Sequence, residues 1–180
     1  MSLLPTIIRT RFAMTRHVAA TRLVETERDL TMNLCRMLGE TGCRETAVVP
    51  AMLGVDEDMR EWSLYQILEH NNIVNRRLTG QMRFLAGTGE EPDPDFDVKH
   101  DVMPSGSPGP EQIREFEISV ADHLKAVAEI PKLRGTGESP HPLFGAFDAH
   151  KWHCMFGFHL QIHRRQAEAL AKILQGKMDL

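Results

Sequence analysis

Proline is absent from three long stretches of this chain, between Pro5 and Pro50, between Pro50 and Pro92, and after Pro142, whereas Pro92, Pro94, Pro104, Pro108 and Pro110 crowd into one segment. The pyrrolidine ring removes a backbone donor and clashes with the preceding turn, so the gaps are where long helices can run. The spacing predicts a first helix over about 11–38, with Leu23, Val24, Leu30, Leu34, Met37 and Leu38 as an interrupted apolar stripe and Gly39 as its C′ residue. At the α-helical rise, that is a rod of roughly 40 Å.

A second helix opens on a clear start signal. Ser63 and Gln66 have capping-box spacing, and Trp62 and Ile67 occupy the two places of a hydrophobic staple, so a helix should run from there to about Leu85. Residues 41–61 read as an ordered connection. Residues 87–109 are rich in proline, glycine and aspartate and longer than a usual connection, so they are either mobile or part of a site. A third helix is expected from Pro110 at N1, with Ile113, Phe116, Val120, Leu124 and Val127 at three- and four-residue steps and Pro131 as its stop. After a second loop, a fourth begins near Asp148 as N-cap and continues past Leu174. No alternating strand pattern of convincing length competes, and the expected architecture is all-α, a four-helix bundle forming a single domain over residues 1–180.

Charge narrows the function classes. A formal net charge of -4 and a pI near 6.1 speak against a nucleic-acid surface, and the pairs Arg76/Arg77 and Arg164/Arg165 are too few to make a basic stripe. No apolar run approaches the roughly 20 residues that span a bilayer, and the N-terminus lacks the pattern of a signal peptide. The chain is therefore expected to be soluble and cytoplasmic. Cys35, Cys43 and Cys154 have no metal-ligand spacing and read as reduced thiols, with Cys154 turned away from the face of His159.

Chemistry enters with three histidines. On the fourth helix Trp152, Phe156, His159, His163, Ala167, Leu170 and Leu174 keep to one stripe, so both imidazoles face the core. On the second, Ile67, His70, Val74 and Leu78 do the same, with Gln66 and Arg77 at the flanks. Each could be an ordinary buried histidine satisfied by a carbonyl, but three together need a partner for every ring nitrogen, and one shared metal satisfies a nitrogen on each. Three neutral imidazoles would leave a Zn²⁺-like ion one open position, as in a catalytic site. Of the others, His100 and His141 fall in expected loops, and His17, His123, His150 and His153 are assigned to solvated helix faces. Glu69 adjoins His70 but is turned about 100° from it, a poor position for a ligand. Glu138 and His141 have Glu-x-x-His spacing, which Pro140 makes unsuitable for a helical di-iron motif.

Two segments carry a resemblance. WSLYQILEHNN (Trp62 to Asn72) and HPLFGAFDAHKWHCMFGFHLQIHRRQ (His141 to Gln166) resemble the DinB superfamily of DinB/YfiT-like metalloenzymes: a second-helix histidine, then Trp152 seven residues before two histidines four apart, then Gln166. The resemblance implies a four-helix bundle in a mirror variant of up-and-down topology. It also implies one divalent metal, zinc or nickel, on His70, His159 and His163, and relatives that use low-molecular-weight thiols.

The leading expectation is thus a metal-dependent thiol S-transferase acting on a small electrophile, with the thiol as cosubstrate. The bound ion would lower the thiol pKa and present a thiolate at neutral pH. Gln66, Arg77 and Trp152 are candidates to line its pocket. The alternatives are a non-catalytic metal- or small-ligand-binding stress protein, a metal-dependent hydrolase, and a structural bundle whose faces dimerise. A homodimer is compatible with each. Neither a nucleic-acid nor a membrane partner is expected.

Overall fold

The computed structural model describes residues 3–178, so the ends of the expected 1–180 domain lie outside the described residues. Five helices and one hairpin follow in order: α1 (Leu4–Met14), α2 (His17–Arg44), α3 (Leu64–Leu85), α4 (Glu111–Glu129), β1 (Glu138–His141), β2 (Gly145–Asp148) and α5 (Ala149–Met178). Helix α5 packs on both α2 and α3, and α4 touches α3 and α2, which closes a four-helix bundle. Helix α1 lies outside it, across α5 and β2. Phe12 anchors it there, edge-on to Phe147 and Phe158 at ring separations of 5.7 and 5.8 Å.

The continuous rod expected over 11–38 is two helices. The chain leaves α1 at Thr15, whose backbone is extended, and Arg134 donates hydrogen bonds to the carbonyls of Ala13 (2.7 Å) and Thr15 (2.5 Å) that the break would leave open. Nor does Gly39 end α2. It adopts φ 64°, ψ -177°, a conformation that suits a residue without Cβ, and the chain re-enters helix as far as Arg44. Cys35 and Cys43, eight residues apart, would sit about 12 Å apart along a straight helix. Across the kink, Cys43 Sγ lies 3.7 Å from the carbonyl oxygen of Cys35, and both cysteines remain buried free thiols.

The other starts and stops agree closely with the sequence. In α3 the Ser63 hydroxyl accepts from the Gln66 N–H (3.3 Å) and the Gln66 amide oxygen accepts from the Ser63 N–H (2.9 Å), completing the capping box. Trp62 and Ile67 are both buried. Asp148 Oδ1 accepts from the Lys151 N–H at 2.9 Å and caps α5. The expected loop over 132–147 instead contains the antiparallel β1–β2 hairpin, in which His141 pairs with Gly145. Its turn is made by Pro142, Leu143 and Phe144, with Gly145 at φ 83°.

The core also contains polar groups that the sequence pattern had assigned to solvent: His123, His150 and His153 are almost fully buried, whereas His17 is exposed. Thr79 on α3 donates to the carbonyl of Asn75 (2.7 Å) and meets His123 Nδ1 (2.9 Å). His123 Nε2 on α4 meets His153 Nδ1 on α5 (2.9 Å), and His153 Nε2 meets the Thr21 hydroxyl on α2 (3.1 Å). A buried ion pair clamps α2 to α5: Arg164 Nε to Glu27 Oε2 at 2.6 Å, with Gln161 on the other carboxylate oxygen at 2.8 Å.

Candidate metal centre

His70, His159 and His163 converge. One ring nitrogen from each lies within 4.8 Å of the others, and the ring centroids are 4.5 to 5.1 Å apart. Each arrives by its place on a stripe: His70 on the buried face of α3, and His159 and His163 one turn apart on α5. Trp62, held at the start of α3 by its staple position, packs 5.1 Å from the His70 ring.

The second nitrogens fix which side of each ring is free. His70 Nδ1–H donates to the carbonyl of Val102 at 2.8 Å, so in the neutral ring Nε2 is a bare acceptor. His163 Nδ1–H donates to the Gln166 amide oxygen at 2.8 Å, and that amide is itself oriented because its NH₂ donates to the Met59 carbonyl at 2.7 Å. His163 Nε2 is therefore bare as well. His159 differs. Its Nδ1 is buried without a partner, and its Nε2 is 3.2 Å from His70 Nε2. A proton on His159 Nε2 would serve His70 but leave Nδ1 bare and unpaired in the interior. A proton on Nδ1 would set two lone pairs face to face. One cation shared by the three Nε2 atoms removes the repulsion, so the donor set fits a divalent ion of the kind that imidazole binds.

Electrostatics favours the ligating form. Burial pushes the pKa of all three imidazoles down, that of His163 to about 3 with the adjacent His70 contributing, and His163 and His70 act in the same direction on His159. All three rings are thus neutral at pH 7, the state in which nitrogen donates to a metal.

The open side of the cluster faces a cavity of about 740 Å³. Its walls are chiefly apolar, among them Ile8, Leu78, Phe96, Trp152 and Phe158. The long segment between α3 and α4 is one of those walls. It is fastened by Val102 to His70, by Ser105 to Glu69 through its N–H (2.8 Å) and hydroxyl (3.0 Å), and by the carbonyl of Asp93 to Arg77 (2.8 Å). Arg77 also lies over the Phe96 ring, 4.6 Å from its centroid.

Of the expected pocket residues, Arg77 and Trp152 line the cavity, and Gln66 is instead committed to the capping box. Glu69 binds the loop rather than joining the cluster. Cys154 packs away from it, its thiol directed at the Phe12 carbonyl (3.8 Å). Sequence reasoning missed His141, which the hairpin carries to the cavity wall. Pro142 and Gly145, which bracket its turn, were the available signal.

The sequence profile of the DinB superfamily matches residues 23–167, a span that contains all three histidines and Gln166. Comparison with curated proteins and with solved structures returns no match. Among the described residues, no helix is long and apolar enough to cross a membrane. With the bundle, the histidine cluster and a profile match over most of its length, the chain belongs to the DinB superfamily.

Proposed function

We propose that this protein is a divalent-metal-dependent thiol S-transferase that joins a low-molecular-weight thiol to a small electrophile. The observation that carries this reading is the set of three inward-facing Nε2 atoms with one side open to an apolar cavity. Zinc or nickel held there would supply Lewis acidity, which keeps a coordinated thiol as thiolate at neutral pH. The chain's own residues do the rest. The Val102 carbonyl and Gln166 aim His70 and His163. The apolar walls keep bulk water from competing for the electrophile. In the transfer, the thiolate sulfur forms a bond to the electrophilic carbon as the leaving group departs with the bonding pair. The thiol's proton has already passed to solvent.

The test combines metal content with turnover. Elemental mass spectrometry of untagged protein prepared without chelators should give near one metal per chain, lost when His70, His159 and His163 are all changed to alanine. Consumption of a small thiol with 1-chloro-2,4-dinitrobenzene should be faster for wild type than for His159→Ala. Equal rates with metal present would leave a non-catalytic metal-binding protein. Protein that takes up neither zinc nor nickel would leave a structural bundle.

A further inference from the structure

The hairpin between α4 and α5 carries a histidine whose free nitrogen the proposed chemistry has not used. His141 closes β1, and its ring is stacked on Phe144 (centroids 4.7 Å apart, planes 25° apart), with Phe147 at 5.1 Å and Trp152 at 5.4 Å. Trp152 is itself tied to the hairpin, its indole N–H donating to Ser139 Oγ at 2.9 Å. The ring is therefore fixed in place by three aromatic neighbours.

Its protonation pattern is fixed too. The Leu143 N–H donates to His141 Nδ1 at 3.1 Å, so that nitrogen presents a lone pair and the hydrogen of the neutral ring is on Nε2. Burial holds the pKa down at about 4, which keeps the ring neutral at pH 7. Among the described residues, Nε2 has no hydrogen-bond partner, and His141 lines the same cavity as His70, His159 and His163. A donor held rigid among aromatic rings in a mostly apolar wall is how a binding site selects for one acceptor atom on an otherwise apolar ligand. His141 is outside the cluster of converging nitrogens, so its part is that of a donor to the ligand.

We propose that the cavity binds a bulky, largely aromatic carbonyl compound, whose oxygen accepts a hydrogen bond from His141 Nε2–H and whose ring lies among the aromatic walls at Phe96, Phe144, Trp152 and Phe158. This inference deepens the transferase reading and rests on it only for the reaction: it names the electrophile's class. A hydrogen bond to a carbonyl draws electron density from the conjugated carbon that bears the leaving group, and makes that carbon a better target for the thiolate that displaces it. The aromatic walls supply the affinity and His141 the selection.

The probes are 2-acetylnaphthalene and 2-ethylnaphthalene, similar in shape but with the oxygen on the ketone alone. Binding is measured by equilibrium dialysis on chelator-treated and on zinc-loaded protein, and followed by the fluorescence of Trp62 and Trp152, the chain's two tryptophans, which border the site. The hydrocarbon gains more from leaving water, so the informative quantity is the ratio of the two affinities within each variant. Relative to His141→Phe, wild type should shift that ratio toward the ketone by about 3- to 10-fold, the range for one neutral hydrogen bond. His141→Gln, which keeps an N–H donor, should retain part of the shift. An unchanged ratio in His141→Phe, or wild type that binds neither probe, overturns the proposal. Failure of the metal reading would appear separately, as absent zinc uptake with the ratio shift intact in chelator-treated protein.

Discussion

Gln166 satisfies two partners with one amide: its NH₂ donates to Met59 in the connection ahead of α3, and its oxygen accepts from His163 Nδ1. Partners of this kind fix a ligating ring and raise its basicity, and losing one usually weakens metal affinity about 10- to 100-fold. Gln166→Ala should fall in that range when zinc is titrated against a chromophoric chelator, with helicity unchanged. Unaltered affinity would mean that packing alone orients His163. The convergence of His70, His159 and His163 was legible in the sequence because helical spacing decides which side chains share a face, and both α3 and α5 were correctly delimited. The Val102 carbonyl, 32 residues from His70, was not legible, because only the folded path of the loop brings it there. His123 and His153 are a different matter. Phe116, Val120, His123 and Val127 are spaced by steps of 4, 3 and 4, and so are Ala149, His153, Phe156 and Leu160, so the same rule would have buried both.

Among the helices, α3 has the most explicit local encoding and α2 the least. The reciprocal cap at Ser63 satisfies two donors at the α3 N-terminus. Ser63→Ala should therefore cost about 1 kcal/mol of stability, seen as a lower urea midpoint at unchanged slope. A slope change would indicate that α3 no longer unfolds with the rest of the bundle. In the sequence, Gly39 has the profile of a helix terminator, and the structure gives it the positive φ expected of one. Yet the helix does not stop there, because residues 40–44 resume helical geometry beyond the kink. Local preference specifies the break at Gly39, but not whether helix continues after it. The break at Thr15 depends on Arg134, from the far side of the chain, and had no local signature at all.

At the scale of the whole molecule, the core is unusually rich in neutral histidine. Burial lowers the pKa of His123, His150 and His153, that of His153 to about 3, with His17 and His150 contributing. In the unfolded chain each returns to near 6.5, so below that pH the unfolded state binds more protons than the folded one. Stability should be fullest above pH 6.5 and fall as the pH drops toward about 3. At pH 5 the loss is about 2 kcal/mol for His153, with His123 and His150 acting in the same direction. Thermal melts of metal-free protein at pH 7.5 and 5.0 should show a lower Tm at pH 5.0, and His153→Gln should flatten the difference. An equal Tm at both values would mean that these rings are already protonated or solvated in the folded state.

The hydrogen bonds through those rings also have a direction. The Thr79 hydroxyl gives its proton to the Asn75 carbonyl at 2.7 Å, so its oxygen accepts from His123 Nδ1–H; this leaves His123 Nε2 bare to accept from His153 Nδ1–H, and leaves His153 Nε2 bare to take the single Thr21 hydroxyl proton at 3.1 Å in competition with the His17 carbonyl at 3.2 Å. The four residues come from α3, α4, α5 and α2, one from each helix of the bundle. Turning any one helix by a single residue, about 100°, would strand a polar nitrogen or hydroxyl in an apolar interior. The effect of the chain lies chiefly in the packings it excludes: slipped arrangements of four amphipathic helices that apolar contacts alone would tolerate become costly, and one register remains.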